Sequence, residues 1–474
     1  MTDAPPSGGQ IAQVFAAQRA GAERLRAAPV AQRLERLERL RAQILRHRRQ
    51  IDAAVQADLG RPQTETELAE WIPLLADLAA HRRNLARWLR PRRVRPTVAT
   101  LGTQGWVERE PRGRTLILAP WNYPFVLTLG PLIPALACGN TAILKPSELA
   151  PQCAHVLASL IHAAFDASEV AVIEGDATAA RALLELPFDH IFFTGSPAVG
   201  REVLRAATLN LASVTLELGG KCPAIITASA DVERAADAIA WGKCLNAGQT
   251  CIAPDHVFVH AAVYARALER FKRRFADAYG DDPQQSPDLG RIVNVHHTRR
   301  LADLLEDARA RGARVLHGGA IDVPRRFVAP TLITDVPEGA RILQEEIFGP
   351  LLPIIVYGSQ EDLLARLNAV PKPLAMYVWT RRRREAQELI ARTSAGGTCI
   401  NEVGRQFLQH NLPFGGVNHS GIGSYHGEWG MRAFSHERAI VAGRIPLAGV
   451  FAPPYGARAR RWVSLLRALA AWRA

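Results

Sequence analysis

One cysteine of this 474-residue chain stands in a setting that invites chemistry: Cys251, in the stretch NAGQTCIAPD (246–255). A lone cysteine is as a rule a small, inert, buried residue. It acts as a nucleophile where neighbours supply a base, a donor for the developing oxyanion and an electron acceptor. Side chains of these kinds stand at the ends of apolar runs elsewhere in the chain. Asn122 follows TLILAP (115–120), and Lys145 and Glu148 follow AIL (142–144). Gly195 and Ser196 follow IFF (191–193), and Glu217 and Leu218 close the run that begins SVTL (213–216). Each alone reads equally well as a turn residue, a surface acid or a solvent-facing ion pair. Together they bring an amide, a Lys/Glu pair, a Gly-Ser turn and a carboxylate to one sheet edge, because ligands of open parallel sheets sit at the carboxyl ends of the strands.

The elements that must position them can be read from the hydrophobic pattern. The runs at 115–120, 141–147, 190–196, 213–220, 223–227 and 256–260 are nearly continuous, as in strands buried on both faces. Strand and helix patterns alternate over this region, which predicts α/β domains with mostly parallel sheets. Ahead of them, Leu34, Leu37, Leu40, Ile44, Leu45, Ile51, Val55 and Leu59 predict one helix over 31–59, stopped by Gly60 and Pro62. A second helix is predicted from 65 to 90, before Pro91. GWVEREPRGR (105–114) predicts an exposed β-hairpin turning at Pro-Arg-Gly. FAPPYGARARR (451–461) opens a tail of different character. In it Trp462, Leu465, Leu466, Leu469 and Trp472 predict one apolar helical face, with Arg460, Ser464 and Arg467 opposite. That helix is too short and too charged to span a bilayer, and suits either an interfacial surface or the protein's own surface.

Length points to two or three domains. Hydrophobic residues at 48% and charged residues at 22% lie in the ordinary globular range. The N-terminal MTDAPPSGGQ lacks the charged and apolar regions of a secretory signal, so a cytoplasmic setting is expected. Six cysteines without a C-x-x-C pair predict neither a disulfide framework nor a zinc site. The net charge of +13 raises nucleic acid as a partner, but the basic runs at 81–95 and 381–384 carry no interleaved aromatic motif and read as solvated faces. GSPAVG (195–200) is not the G-x-G-x-x-G fingerprint, though it can open a helix whose N-terminal amides, from Gly200 back to Ser196, hold a phosphate. No Walker lysine and no strand-end G-x-S-x-G is present.

The set PWNYPF, KPSE, FFTGS, ELGGK, NAGQTC, EEIFGP and PFGG, in this order, resembles the NAD(P)-dependent aldehyde dehydrogenase superfamily over roughly residues 10–440. LELGGKCP, AGQTCIAPD and GSYHG (423–427) are similar to its class 3 branch of fatty-, aromatic- and coniferyl-aldehyde dehydrogenases. The resemblance implies an α/β fold of two mostly parallel domains plus a small β-hairpin oligomerisation element. It implies a cofactor-binding domain of residues 1–95 and 113–219, a catalytic domain of 220–421, a bridging element of 96–112 and 422–445, and a basic tail of 446–474. It implies Cys251 as nucleophile, Asn122 as oxyanion donor and Glu217 as general base. Lys145 and Glu148 would bind the adenosine ribose, Gly195, Ser196, Gly200 and Leu218 would lie along the cofactor, and Glu346 and Phe348 would hold its nicotinamide end. NAD is expected over NADP, since a carboxylate at 148 repels a 2′-phosphate. No metal is expected. A homodimer is expected, and the tail helix is expected to dock either on a membrane surface or on the protein's own surface. A CoA-acylating relative tends to lack the general-base carboxylate, and a structural homologue would have lost Cys251, Asn122 or Glu217; all three are present. Two stretches depart from the family pattern. Asn418-His419 stands where a glycine and a small polar residue are expected near the substrate opening, and NEVGRQFLQHN (401–411) differs from the usual continuation.

Overall fold

The computed structural model describes residues 7–443 and 451–473, and of 472 and 473 the backbone alone. A layer of helices comes first: Gly8–Arg26, Val30–Arg46, Arg48–Leu59 and Ile72–Trp88. The helix predicted over 31–59 is in fact two, parted at His47, whose ψ of 7° leaves the α region. The apolar spacing continues through the break because both pieces bury the same face, Leu37, Leu40 and Ile44 with Ile51, Val55 and Leu59. Gly60 closes the second piece at φ +57°, a conformation that suits glycine. The helix after it carries a π turn, Glu67–Trp71, between Gln63–Thr66 and Ile72–Trp88.

Two sheets carry the chemistry-bearing residues. The first has six strands in the order Gly421–Ile422, Ser213–Leu218, His190–Gly195, Arg114–Leu118, Thr141–Lys145, Val170–Val172. All its pairings are parallel except that of Gly421–Ile422 with Ser213–Leu218. The chain starts in the middle, at Arg114–Leu118, and builds outward first to one side and then to the other. The strand order therefore reverses between Arg114–Leu118 and His190–Gly195, and the crevice that this leaves lies at their carboxyl ends. Leu116, Ile117, Leu144 and Phe192 are fully buried, as the continuous apolar runs require. The second sheet has seven strands in the order Arg314–His317, Thr331–Thr334, Leu351–Tyr357, His256–His260, Pro223–Ile226, Ala375–Trp379, Gly397–Ile400, parallel except at its first pair.

A third sheet corrects the hairpin expected at 105–114. Thr103–Pro111 is the middle strand of three, paired antiparallel with Arg92–Val94 on one side and with Ser435–Gly443 on the other. The hairpin's turn is thus at 95–102, and Pro111-Arg112-Gly113 is the crossing into the six-stranded sheet. The stretch GWVEREPRGR does hold a strand, but its residues say nothing of which segment pairs with it. The tail helix Ala457–Arg473 rests against Val98–Thr100. Leu466 and Leu469 are half-buried, whereas Trp462, Val463 and Leu465 stay exposed; the side chain of Trp472 and residues 446–450 lie outside the described residues.

Candidate active site

Cys251 follows a tight turn that begins where the helix Val232–Cys244 ends. Asn246 and Ala247 both adopt left-handed conformations, at φ 53° and 52°, and Gly248 follows at φ 78°. Two consecutive non-glycine residues there cost about 1–2 kcal/mol each. Packing and hydrogen bonds hold them. Asn246 N–H donates to Glu65 Oε2 (2.9 Å), and Gly248 packs so closely on Gly349 and Pro350 that no side chain fits. Strain of this kind concentrates at functional sites. The turn delivers Cys251, half-buried, to a cavity of about 410 Å³ lined by Leu68, Tyr123, Val126, Trp241, Ile252 and Phe407 among others.

Asn122 lies at the carboxyl end of Arg114–Leu118, buried, and its Nδ2 donates to the carbonyl of Gln249 (3.0 Å). That bond uses one of two amide hydrogens and leaves the other for a ligand. Tyr123 Oη and Thr250 Oγ1 share a hydrogen bond of 2.6 Å across the same gap. Cys222 braces the nucleophile from below: its thiol donates to the Cys251 carbonyl (3.3 Å), and its sulfur accepts from Ala375 N–H (3.2 Å). Cys244 ends its helix buried in the core, as its spacing predicts.

Glu217 ends the edge-proximal strand Ser213–Leu218 and is 3% exposed. Neither of its carboxylate oxygens has a hydrogen-bond partner among the described residues. Burial pushes this carboxyl well above the ordinary range. A buried carboxyl left unpartnered is costly, and is placed to take up a proton or a water. The Cys251 thiol is pushed up to about 12, first by burial and then by the negative charges of Glu346 and Glu217. Glu346 is itself raised to about 7, by burial and by Asp255. The three groups therefore sit close enough to feel one another, and the resting thiol keeps its proton.

The predicted cofactor residues fall along one edge. Lys145 Nζ donates to Glu148 Oε2 (3.1 Å) and to the Pro146 carbonyl (3.0 Å), at the end of the next strand. Ser196 caps the helix Pro197–Asn210, its Oγ accepting from Val199 N–H (3.3 Å), so that helix points its free amides at the sheet edge. Gly195 and Gly200 are there by need of space: a Cβ would come within 2.5 Å of the Phe193 ring and 2.7 Å of Leu218 Cδ2 respectively. Phe348, at φ 50°, meets Trp121 edge to face at 5.5 Å. The Glu346–Phe348 loop is pinned from beneath. Lys221 Nζ donates to the carbonyls of Ile342 and Glu345 (both 2.8 Å) and pairs with Asp255, and Asp255 Oδ2 accepts from Ile347 N–H (2.9 Å). The Lys145–Glu148 pair and the free amides at the start of Pro197–Asn210 fit a dinucleotide laid along this edge.

Four residues buried around Asn122 received no individual role from the sequence: Arg61 and Glu70, which no motif marks, and Asn246 and Gln249, which stand in NAGQTC beside the cysteine. Their roles come from distant contacts, such as the 2.9 Å bond of Arg61 Nε to Asn246 Oδ1. The stretch after Asn401 was singled out, and Glu402, Val403, Gly404, Arg405, Phe407 and Leu408 do line the cavity. Asn418 and His419 do not. Asn418, at φ 56°, makes the turn into Gly421–Ile422 and accepts from Lys372 Nζ (2.8 Å). Asparagine is favoured there for its backbone conformation rather than for contact with a substrate.

The sequence profile described as "Aldehyde dehydrogenase family" matches residues 7–440. The chain is 41% identical to the 4,4′-diaponeurosporen-aldehyde dehydrogenase of Staphylococcus aureus over 89% of its own length and 92% of that protein's. It is 40% identical to mouse aldehyde dehydrogenase family 3 member A2, over 88% of this chain and 85% of the other. Among solved structures, the substrate-bound state of Staphylococcus aureus AldH superposes with a TM-score of 0.92 at 38% identity, covering 96% of this chain and 99% of that one.

Proposed function

The chain belongs to the aldehyde dehydrogenase family as an NAD(P)-dependent enzyme of its class 3-like branch, and we propose that Cys251 carries the reaction on a medium- or long-chain aliphatic or an aromatic, coniferyl-type aldehyde. The observation that carries this reading is that Cys251 lines an apolar cavity, with the Asn122 amide bonded to the Gln249 carbonyl two residues before it and a buried, unpartnered Glu217 near enough to raise its thiol.

In this reading the Cys251 sulfur adds to the aldehyde carbon and gives a thiohemiacetal. The free amide hydrogen of Asn122 and the backbone N–H of Cys251 hold the oxyanion. A nicotinamide cofactor held along the sheet edge would supply the hydride acceptor, redox chemistry that no side chain can provide. A thioester on Cys251 remains. Glu217 takes a proton from the water that attacks the thioester carbon, the C–S bond breaks, the proton returns to the Cys251 sulfur, and the acid leaves the cavity. Lys145 and Glu148 hold the adenosine ribose, and the exposed Glu148 carboxylate favours NAD over NADP. Gly195 and Ser196 would approach the cofactor's phosphates, Gly200 and Leu218 would lie along the cofactor, and Glu346 and Phe348 would hold its nicotinamide ribose and ring. In terms of domains, residues 1–95 and 113–219 bind the cofactor, 220–421 carry the nucleophile, and 96–112 with 422–445 bridge subunits.

A large apolar substrate is supported by the exposed Leu68, Trp241 and Leu408 at the cavity mouth, which extend its greasy wall outward. The Staphylococcus aureus relative is named for 4,4′-diaponeurosporen-aldehyde. The test is a panel of aldehydes from acetaldehyde to hexadecanal, with benzaldehyde and cinnamaldehyde, read by NADH absorbance. kcat/KM should climb with chain length to at least decanal; a series that peaks at acetaldehyde would overturn the substrate reading.

A homodimer is supported by the outer edge of Ser435–Gly443, unpaired among the described residues and carrying Val441 at 65% exposure. A cytoplasmic enzyme that touches membranes through its tail is supported by the exposed Trp462, Val463 and Leu465 beside Arg458, Arg460 and Arg461. Among the described residues no helix is long and apolar enough to cross a membrane.

A further inference from the structure

Arg61 takes no part in the steps above, yet it sits at the centre of the site's hydrogen bonding. It is fully buried, in the one-residue link between Gly60 and Pro62. Its Nη1 donates to Glu70 Oε1 (2.9 Å), its Nε to Asn246 Oδ1 (2.9 Å), and its Nη2 to the carbonyl of Asn122. The guanidinium lies 4.5 Å from the centre of the Tyr123 ring. Asn246 Nδ2 in turn donates to the carbonyls of Asn122 (2.9 Å) and Gln249 (3.1 Å), and Asn122 Nδ2 donates to that same Gln249 carbonyl. The circuit closes: Arg61, Asn246, Gln249 and Asn122 are each bonded to at least one of the others, and no water is needed to complete it.

The counter-ion comes from the π turn. Such a turn holds one residue more than an α turn, and here it buries both Glu70 and Trp71. Glu70 Oε2 also accepts from Val126 N–H (2.7 Å), at the first residue of the helix Val126–Cys138. Leu68 and Ala69 of the same turn line the aldehyde cavity. One ion pair therefore joins the cavity wall, the loop that carries Asn122 and the loop that carries Cys251.

Stability alone is a weak reason to bury such a pair, since well-packed apolar residues of similar volume often do as well or better. A planar guanidinium does supply something apolar residues cannot: N–H groups in several fixed directions at once. We propose that Arg61 is a positioning residue for the oxyanion site. It fixes the backbone at Asn122, and through Asn246 the backbone at Gln249, so that the side-chain donor of one loop and the nucleophile of the other keep their separation. The inference rests on Asn122 being an oxyanion donor.

The test is a double-mutant cycle of Arg61→Lys and Asn122→Ala, with hexanal as the aldehyde. Asn122→Ala should lower kcat by about 10²–10³-fold, the usual effect of deleting one oxyanion donor. Arg61→Lys keeps the charge but loses the fork, and should lower kcat about tenfold or more with KM nearly unchanged. The double variant should be no slower than Asn122→Ala alone. Alkylation of Cys251 by iodoacetamide builds no oxyanion and should run at the parental rate in all of them, with NAD affinity also unchanged. If the two losses multiply in the double variant, Arg61 does not act through Asn122 and the proposal fails while Asn122 keeps its role. If Asn122→Ala keeps the parental kcat, the assignment of Asn122 fails first and takes the proposal with it. A fall in alkylation and NAD affinity in step with kcat marks general damage and also overturns it. Should Arg61→Lys not fold, Asn246→Gly replaces it, because glycine tolerates the left-handed backbone at 246 and only the bridging amide is lost. It should show the same loss confined to kcat; parental kcat in Asn246→Gly overturns the proposal.

Discussion

The carboxylate of Glu346 fills the space in front of Gly219: a Cβ built at 219 would overlap Oε2 and come within 2.7 Å of Cδ. Gly219 is thus a glycine because of where Glu346 must lie. If Glu346 holds the nicotinamide end of the cofactor, Gly219→Ala, which must displace its carboxylate, should weaken dinucleotide binding about tenfold, or roughly 1.4 kcal/mol. Titration with NAD followed by tryptophan fluorescence reads this directly. Parental affinity together with parental kcat in Gly219→Ala would remove Glu346 from the cofactor site.

Glu217→Gln keeps the shape of the side chain and removes the base. If Glu217 acts after hydride transfer, the variant should release about one NADH per active site in a rapid burst and then turn over about 10²–10⁴-fold more slowly. Mass spectrometry should find the acyl group on the peptide that contains Cys251, and Cys251→Ala should give neither burst nor adduct. A variant without a burst would instead move Glu217 to thiol activation.

The Cys251 thiol, pushed up to about 12 by burial and then by Glu346 and Glu217, should be alkylated slowly by iodoacetamide in the free enzyme. Only the thiolate reacts, so the rate should climb about tenfold per pH unit through pH 9 without levelling. Burial and then the Asp255 charge raise the Glu346 carboxyl to about 7, so below pH 6 it is mostly neutral and Glu346→Gln should change little. Above pH 8 it is an anion that holds the thiol up, so Glu346→Gln should speed alkylation there. A variant slower than the parent at pH 9 would contradict the geometry.

The strands were legible because burial on both faces leaves an unbroken apolar run, and the site residues at their ends were legible because a parallel sheet gathers its carboxyl ends. The join between elements was not. The residues of GWVEREPRGR could not tell the true partner, Ser435–Gly443, from the nearer residues after Gly113. Arg61 offered a single charged residue between a glycine and a proline, and its meaning lies in a side chain 185 residues away. The break at His47 left no mark, since both helices bury the same face.

Removing residues 456–474 should abolish co-sedimentation with anionic vesicles if the tail helix binds them. Each arginine near such a surface is worth about 1 kcal/mol, so the loss should be steep and should fade in high salt. Equal sedimentation of the full chain and the truncated one would leave the helix as a patch on Val98–Thr100 alone.

The antiparallel ladder that joins 103–111 to 435–443 also fixes an order of events during synthesis. Emerging from the ribosome, Thr103–Pro111 has only the three residues of Arg92–Val94 to pair with until nearly the whole chain has been made. The strand that bears Glu217 likewise waits for its outer neighbour Gly421–Ile422. Contacts so distant along the chain are slow to form, and an unpaired edge is exposed meanwhile. A nascent polypeptide that already holds Cys251 and Glu217 therefore still lacks the outer neighbours of two of its sheets until residues 421–443 have been made.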